Sequence, residues 1–171
     1  MTTITRKFTF DAGHRVLGHE GRCKALHGHT YCAEITVTAD GLDNLGRVID
    51  FSVLKEKVGR WIDAHLDHNM ILNSQDPLLA AVRELMPYDP ENGLAIWDLV
   101  FSDSKMPHVL QNENPTAENI ARILFEESSR LLNEHSLRVV NVRLWETPNC
   151  FADYSGPSSA STSQARLVTD D

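Results

Sequence analysis

His27-Gly28-His29-Thr30-Tyr31-Cys32-Ala33-Glu34-Ile35-Thr36-Val37 is the stretch that decides the fold. His27, His29, Tyr31, Ala33, Ile35 and Val37 share one parity, while Cys32, Glu34, Thr36 and Thr38 share the other. Side chains along a strand alternate between its two faces, so this is a half-buried strand that begins with two histidines on its apolar side. A second alternating stretch, residues 4–16, places His14 on the parity of Phe8, Phe10 and Ala12. His14, His27 and His29 are therefore expected to face inward together, and the i, i+2 pair can grip a single ion.

Three imidazoles without an obligatory fourth protein ligand describe a catalytic zinc site, whose open position takes water or a substrate oxygen. The competing reading closes the shell with Cys23, four residues before His27, as a structural site. Arg22 and Lys24 flank that cysteine, and neighbouring cations lower a thiol pKa, which favours a reactive group. The expectation taken forward is three-histidine zinc with Cys23 as a separate thiol.

At 171 residues the chain fits one domain with a core of its own. Three cysteines, at 23, 32 and 150, do not make a disulfide framework and suggest a reducing cytoplasm. There is no apolar leader at the N-terminus and no run long enough to span a membrane. The 16 Lys and Arg against 24 Asp and Glu give a net charge of −8, with no basic run longer than Arg6-Lys7, so nucleic acid is not an expected partner. The same charge would repel a phosphorylated ligand unless cations gather locally, and Arg15, Arg22 and Lys24 are the candidates.

Residues 40–47 are rich in turn formers and precede Val48-Ile49-Asp50-Phe51, which reads as a hairpin. Asp50 or Ser52 then caps a helix with Leu54, Val58, Trp61, Ile62 and Leu66 on one face, ending near Asp67-His68. Asp76-Pro77 opens a second helix over Leu78 to Met86. Residues 75–111 read as an insertion, with Leu94 to Phe101 ambiguous between strand and helix. Asn114-Pro115-Thr116 starts a long helix with Glu118 in its first turn and Ile120, Ile123, Leu124, Leu131 and Leu132 on its buried stripe. A strand over Leu137–Glu146 aligns Val140, Val142, Leu144 and Glu146 on one face. Phe151–Tyr154 forms a last strand, and residues 155–171 read as a disordered serine-rich tail.

Taken alone, Glu146 at the end of an apolar face reads as a solvated strand-end charge or as a binding group. Asp67 and His68 read as a helix terminus interacting with its dipole, or as a proton-transfer pair. His19 shares a loop with Cys23 and is a spare ligand candidate; His65, His108 and His135 read as surface or packing residues.

Phe8–His14, Cys23–His29, Val48–Phe51, Leu66-Asp67-His68, Pro115–Asn119 and Trp145-Glu146-Thr147 together resemble the 6-pyruvoyltetrahydropterin and 6-carboxytetrahydropterin synthase family, over most of residues 4–154. The Cys-x3-His-Gly-His spacing is more similar to the bacterial carboxytetrahydropterin branch. The resemblance implies an α+β T-fold: a four-stranded antiparallel sheet with two main helices on one face, assembled into a hexamer of two stacked trimers with active sites between subunits. It implies zinc on His14, His27 and His29, a catalytic thiol at Cys23, a catalytic Asp67-His68 pair, a pterin-anchoring Glu146 and Thr116 near the pterin. It further implies a cytoplasmic lyase that converts dihydroneopterin triphosphate to carboxytetrahydropterin, acetaldehyde and triphosphate, on a route to queuosine-type nucleosides. The alternatives are a pyruvoyltetrahydropterin synthase and a zinc-binding T-fold scaffold without turnover.

Overall fold

The computed structural model describes residues 1–85, 106–133 and 137–157. Two long strands, β1 (Thr3–His14) and β2 (His27–Thr38), pair antiparallel along their whole length, Thr3 opposite Thr38 and His14 opposite His27. That register brings all three histidines to one end of the hairpin. Phe10, Ala12, Tyr31, Ala33, Ile35 and Val37 are buried on the parity of the histidines, while Lys7, Thr9, Asp11 and Glu34 lie on the other face.

The first helix, α1, follows the caps: Asp50 accepts the Ser52 amide at 2.8 Å, and the helix runs through Phe51–Leu54, a π-helical turn Lys55–Gly59 and Arg60–His65. Leu54, Val58, Ile62 and Leu66 enter the core. Gly59 permits the close approach to β1, since a Cβ there would lie 3.1 Å from the Phe8 ring. Strand β3 (Asn69–Asn73) follows, then α2 (Pro77–Leu85), β4 (His108–Leu110) and the 16-residue α3 (Ala117–Leu132). Ile120, Ala121, Leu124, Ser128 and Leu132 are buried along α3, with Ile123 and Phe125 packed at the margin. Strands β5 (Arg138–Thr147) and β6 (Cys150–Tyr154) complete the sheet. The two main helices cover one face of it, and no helix among the described residues is long and apolar enough to cross a membrane.

Several expectations change. The sheet has six strands in the order β4-β3-β1-β2-β5-β6, and it is mixed: β3 runs parallel to β1, and β4 parallel to β3. Strands of three to five residues carry little periodicity, and neither β3 nor β4 is among the strands expected from the sequence. Val48–Phe51 is no strand: Asp43 closes residues 43–47 by accepting the amides of Leu45 and Arg47, and Val48 tucks into the core without a ladder partner. A bulge opposite Thr36/Val37 shifts the phase of β5, so that Val139, Val142 and Leu144 are buried and Val140 is only half-buried. Met86, residues 94–101 and residues 158–171, with the readings placed on them, lie outside the described residues; residues 155–157 follow directly on β6.

Candidate active site

His14, His27 and His29 each offer a ring nitrogen within 4.8 Å of the others. The tautomers follow from the backbone. His14 Nδ1 lies 2.7 Å from the Pro115 carbonyl, and His27 Nδ1 lies 2.8 Å from the Ala25 carbonyl. A carbonyl only accepts, so both Nδ1 atoms carry the proton and both Nε2 atoms present lone pairs. Those two Nε2 atoms face each other at 3.1 Å. Two lone pairs at that distance repel unless a cation lies between them. Nitrogens about 2.0–2.1 Å from a tetrahedral ion would stand roughly 3.3 Å apart, so the pair fits a zinc-sized metal. Burial holds His14 below its usual pKa, with the Pro115 carbonyl opposing and His27 adding to the shift, and so keeps it in the neutral, ligating form.

Glu146 completes the cluster. Its Oε1 is 3.5 Å from His14 Nε2 and 3.8 Å from His29 Nε2. The β5–β6 register shifts between Trp145 and Thr147, leaving Glu146 as the bulged residue, and such bulges aim a side chain at a site. Beneath lies Tyr31, fully buried, its ring 5.5 Å from His29 and 6.0 Å from His14. Its hydroxyl has no hydrogen-bond partner among the described residues, and burial followed by the Glu146 charge raises its pKa. Its parity with His27 and His29 is the sequence signal that places it at the cluster.

Cys23 sits half-buried on the 3₁₀ turn Arg22–Lys24, which the Val16 amide clasps by donating to the Cys23 carbonyl at 2.8 Å. It lines a cavity of about 250 Å³ with His14, His19, Thr116, Glu118 and Glu146. Among the described residues the metal-capable cluster contains the three histidines without Cys23 or His19, which does not favour the closed four-ligand shell. Thr116 lies on the cavity wall and also caps α3, accepting from Asn119. Asn114, which was not singled out from the sequence, pins the loop: its side chain accepts from the Leu17 amide at 3.0 Å and donates to the Leu17 carbonyl at 2.9 Å.

The reading of Arg15 as a phosphate-binding cation meets a different geometry. Arg15 is not available to a phosphate, because it pairs through two nitrogens with the buried carboxylate of Asp76. Burial pushes that carboxyl up, yet the Arg15 and Leu78 hydrogen bonds leave it net below its usual value. Asp67 and His68 are paired, His68 Nδ1 to Asp67 Oδ2 at 2.8 Å, and the Asp11 amide donates to Asp67 Oδ1 at 2.9 Å. His68 borders another hollow, of about 440 Å³, whose walls include Asp11, Ala12, Gly28, His29 and Met70. His29 of the cluster borders this hollow and His14 borders the cavity of Cys23, whose walls do not include His68.

A mixed, helix-backed sheet with a histidine cluster at the end of its long hairpin is the T-fold arrangement. Solved structures share it: an uncharacterized protein of Wolinella succinogenes superposes with a TM-score of 0.73 at 23% identity, covering 91% of this chain and 98% of that one. The Caenorhabditis elegans 6-pyruvoyl tetrahydropterin synthase superposes with a TM-score of 0.60 at 21% identity, over 91% and 96%. The sequence model of 6-pyruvoyl tetrahydropterin synthase matches residues 3–157, and the chain belongs to that family. Among relatives, the 6-carboxy-5,6,7,8-tetrahydropterin synthase of Rickettsia felis is 40% identical over 154 residues, 90% of this chain and 99% of that protein. The protein of the same name from Haemophilus influenzae is 32% identical over 166 residues, with 90% and 99% covered. The chain is thus an enzyme of the tetrahydropterin synthase type, with a lyase-type reaction.

Proposed function

We propose that this chain is a zinc-dependent 6-carboxy-5,6,7,8-tetrahydropterin synthase, converting 7,8-dihydroneopterin triphosphate and water to carboxytetrahydropterin, acetaldehyde and triphosphate. The observation that carries the reading is the pair of facing Nε2 lone pairs on His14 and His27, 3.1 Å apart beside the Glu146 carboxylate. The carboxy branch is favoured by relatives of that name at 37–40% identity over most of the chain.

Held by His14, His27 and His29, zinc supplies a Lewis acid for the oxygens of the substrate side chain. The residues of the chain do the rest. Glu146 accepts paired hydrogen bonds from the amino group and ring N–H of the pterin, a donor edge suited to a carboxylate. Cys23 as thiolate removes the proton from carbon next to oxygen. Asp67 fixes the Nδ1–H tautomer of His68, so that His68 Nε2 can take up and return protons. Because His68 borders a different hollow, the complete site draws the Asp67-His68 pair from a second copy, in keeping with a hexamer built as a dimer of trimers. The reading carries with it a cytoplasmic enzyme on a route to queuosine-type deazapurines.

Incubating the zinc-loaded protein with dihydroneopterin triphosphate, with mass analysis of the pterin and an acetaldehyde assay, tests this. Carboxytetrahydropterin with acetaldehyde is the expected result. Pyruvoyltetrahydropterin without acetaldehyde would assign the chain to the pyruvoyl activity, and unchanged substrate would leave a binding protein without turnover.

A further inference from the structure

We propose that His19 is a substrate-contacting residue, offering a fixed N–H donor to an oxygen of the ligand in the cavity it shares with Cys23; this rests on the reading of that cavity as a pterin triphosphate site. The Gly21 amide donates to His19 Nδ1 at 2.8 Å, so Nδ1 carries a lone pair and the neutral ring must hold its proton at Nε2. A ring that is a donor at Nε2 is not a metal ligand there. It is a hydrogen-bond donor on a cavity wall that also includes Cys23, Thr116 and the carboxylate residues Glu118 and Glu146.

The pose is held from both sides. The His19 amide donates to the Val16 carbonyl at 3.3 Å, and Val16 in turn clasps Cys23, so the ring and the thiol turn belong to one closed loop. Gly21 lies against the ring: a Cβ there would stand 3.0 Å from Cε1 and 3.3 Å from Nδ1. Its backbone, at φ −96°, suits other residues as well, so glycine at this place serves the ring rather than the turn. The exposed cations Arg22 and Lys24 follow directly on the same turn.

The acceptor is an oxygen of the substrate side chain or of its phosphates, and two probes separate them: 7,8-dihydroneopterin, which has hydroxyls and no phosphate, and inorganic tripolyphosphate. Binding of each is measured by calorimetry to the full zinc-loaded protein, its His19→Asn variant and its His19→Gln variant. Asparagine can still accept from Gly21 at the place of Nδ1 but has no donor at the place of Nε2; glutamine does the reverse. Loss of one donor predicts roughly tenfold weaker binding of one probe by His19→Asn, with His19→Gln closer to wild type. Weakening of dihydroneopterin alone assigns the side-chain oxygen, and weakening of tripolyphosphate alone assigns the phosphate. The opposite ranking, Gln weaker than Asn, would make His19 a brace for the Cys23 loop only and overturn the proposal, as would equal binding by all three proteins. Gly21→Ala, which displaces the ring without altering it, should reproduce the loss if either His19 variant folds poorly. The two readings fail separately: indifference of binding to His19 with turnover intact removes only this inference. His19-dependent binding without turnover removes only the enzyme assignment, and no binding of either probe to wild type overturns both.

Discussion

Two histidine groups in this molecule are built in opposite ways. In the cluster at the end of the β1–β2 hairpin, backbone carbonyls hold the Nδ1–H groups of His14 and His27, and their Nε2 atoms converge at 3.1 Å. Around α1 and β4 the rings also meet by faces and edges, but among the described residues they gather no set of three ligand atoms. His65 stacks on Trp61 at 4.8 Å and 15°, with its Nδ1 donating to the Trp61 carbonyl of its own helix, and His108 packs edge-on to both rings. The role of a histidine is thus decided by where its nitrogens are committed. The first group is arranged to hold a cation, and the second to fill space.

The comparison can be broken at several points. His27→Ala should lower metal affinity by two orders of magnitude or more, since even outer-shell partners of metal ligands are worth about 10–100-fold. Elemental analysis after gel filtration reads this, and a variant that keeps stoichiometric metal would end the distinction between the two groups. Cys23→Ala should reduce turnover by roughly 10²–10⁴, the range for a lost general base, with metal content unchanged. Should the metal leave with the thiol, Cys23 belongs to the ligand shell.

At the packing cluster the effects are smaller and of a different kind. Trp61→Ala should cost about 2–3 kcal/mol in urea unfolding, from lost ring burial and stacking, and leave metal content as in wild type. A loss of metal would couple the clusters that the structure separates.

The smallest effect is on pH dependence. Burial, and then the proximity of His65, lower the pKa of His108 below 6.5, with Glu127 opposing. The unfolded chain therefore binds the proton first. His108 contributes stability in full above about pH 6.5, and that contribution is lost as the pH falls toward the lowered folded value. Urea midpoints measured between pH 7 and 5 should fall less steeply for His108→Gln than for wild type; equal slopes would show that His108 is not the titrating group.

Much of the architecture can be read along the chain. Alternation at Phe8 to His14 and His27 to Val37 reports which side chains share a face, and the register then has only to align the two hairpin ends. Capping by Asp50 and the helix opening at Thr116 are likewise local, because their hydrogen bonds close within three residues. Other features depend on elements remote in sequence. Pro115 reaches His14 across 101 residues and sets its tautomer. Asp76 takes Arg15 away from any anion. The bulges at Val140 and Glu146 shift phase against neighbouring strands, and His68 meets a hollow that His29 also borders because β3 adds parallel to β1. Periodicity determined which residues turn inward together, since it is a property of one element's backbone. Only tertiary packing decided which lone pairs face each other, which charges are already spent and which hollow each group borders, since those follow from partners that the local chain does not contain.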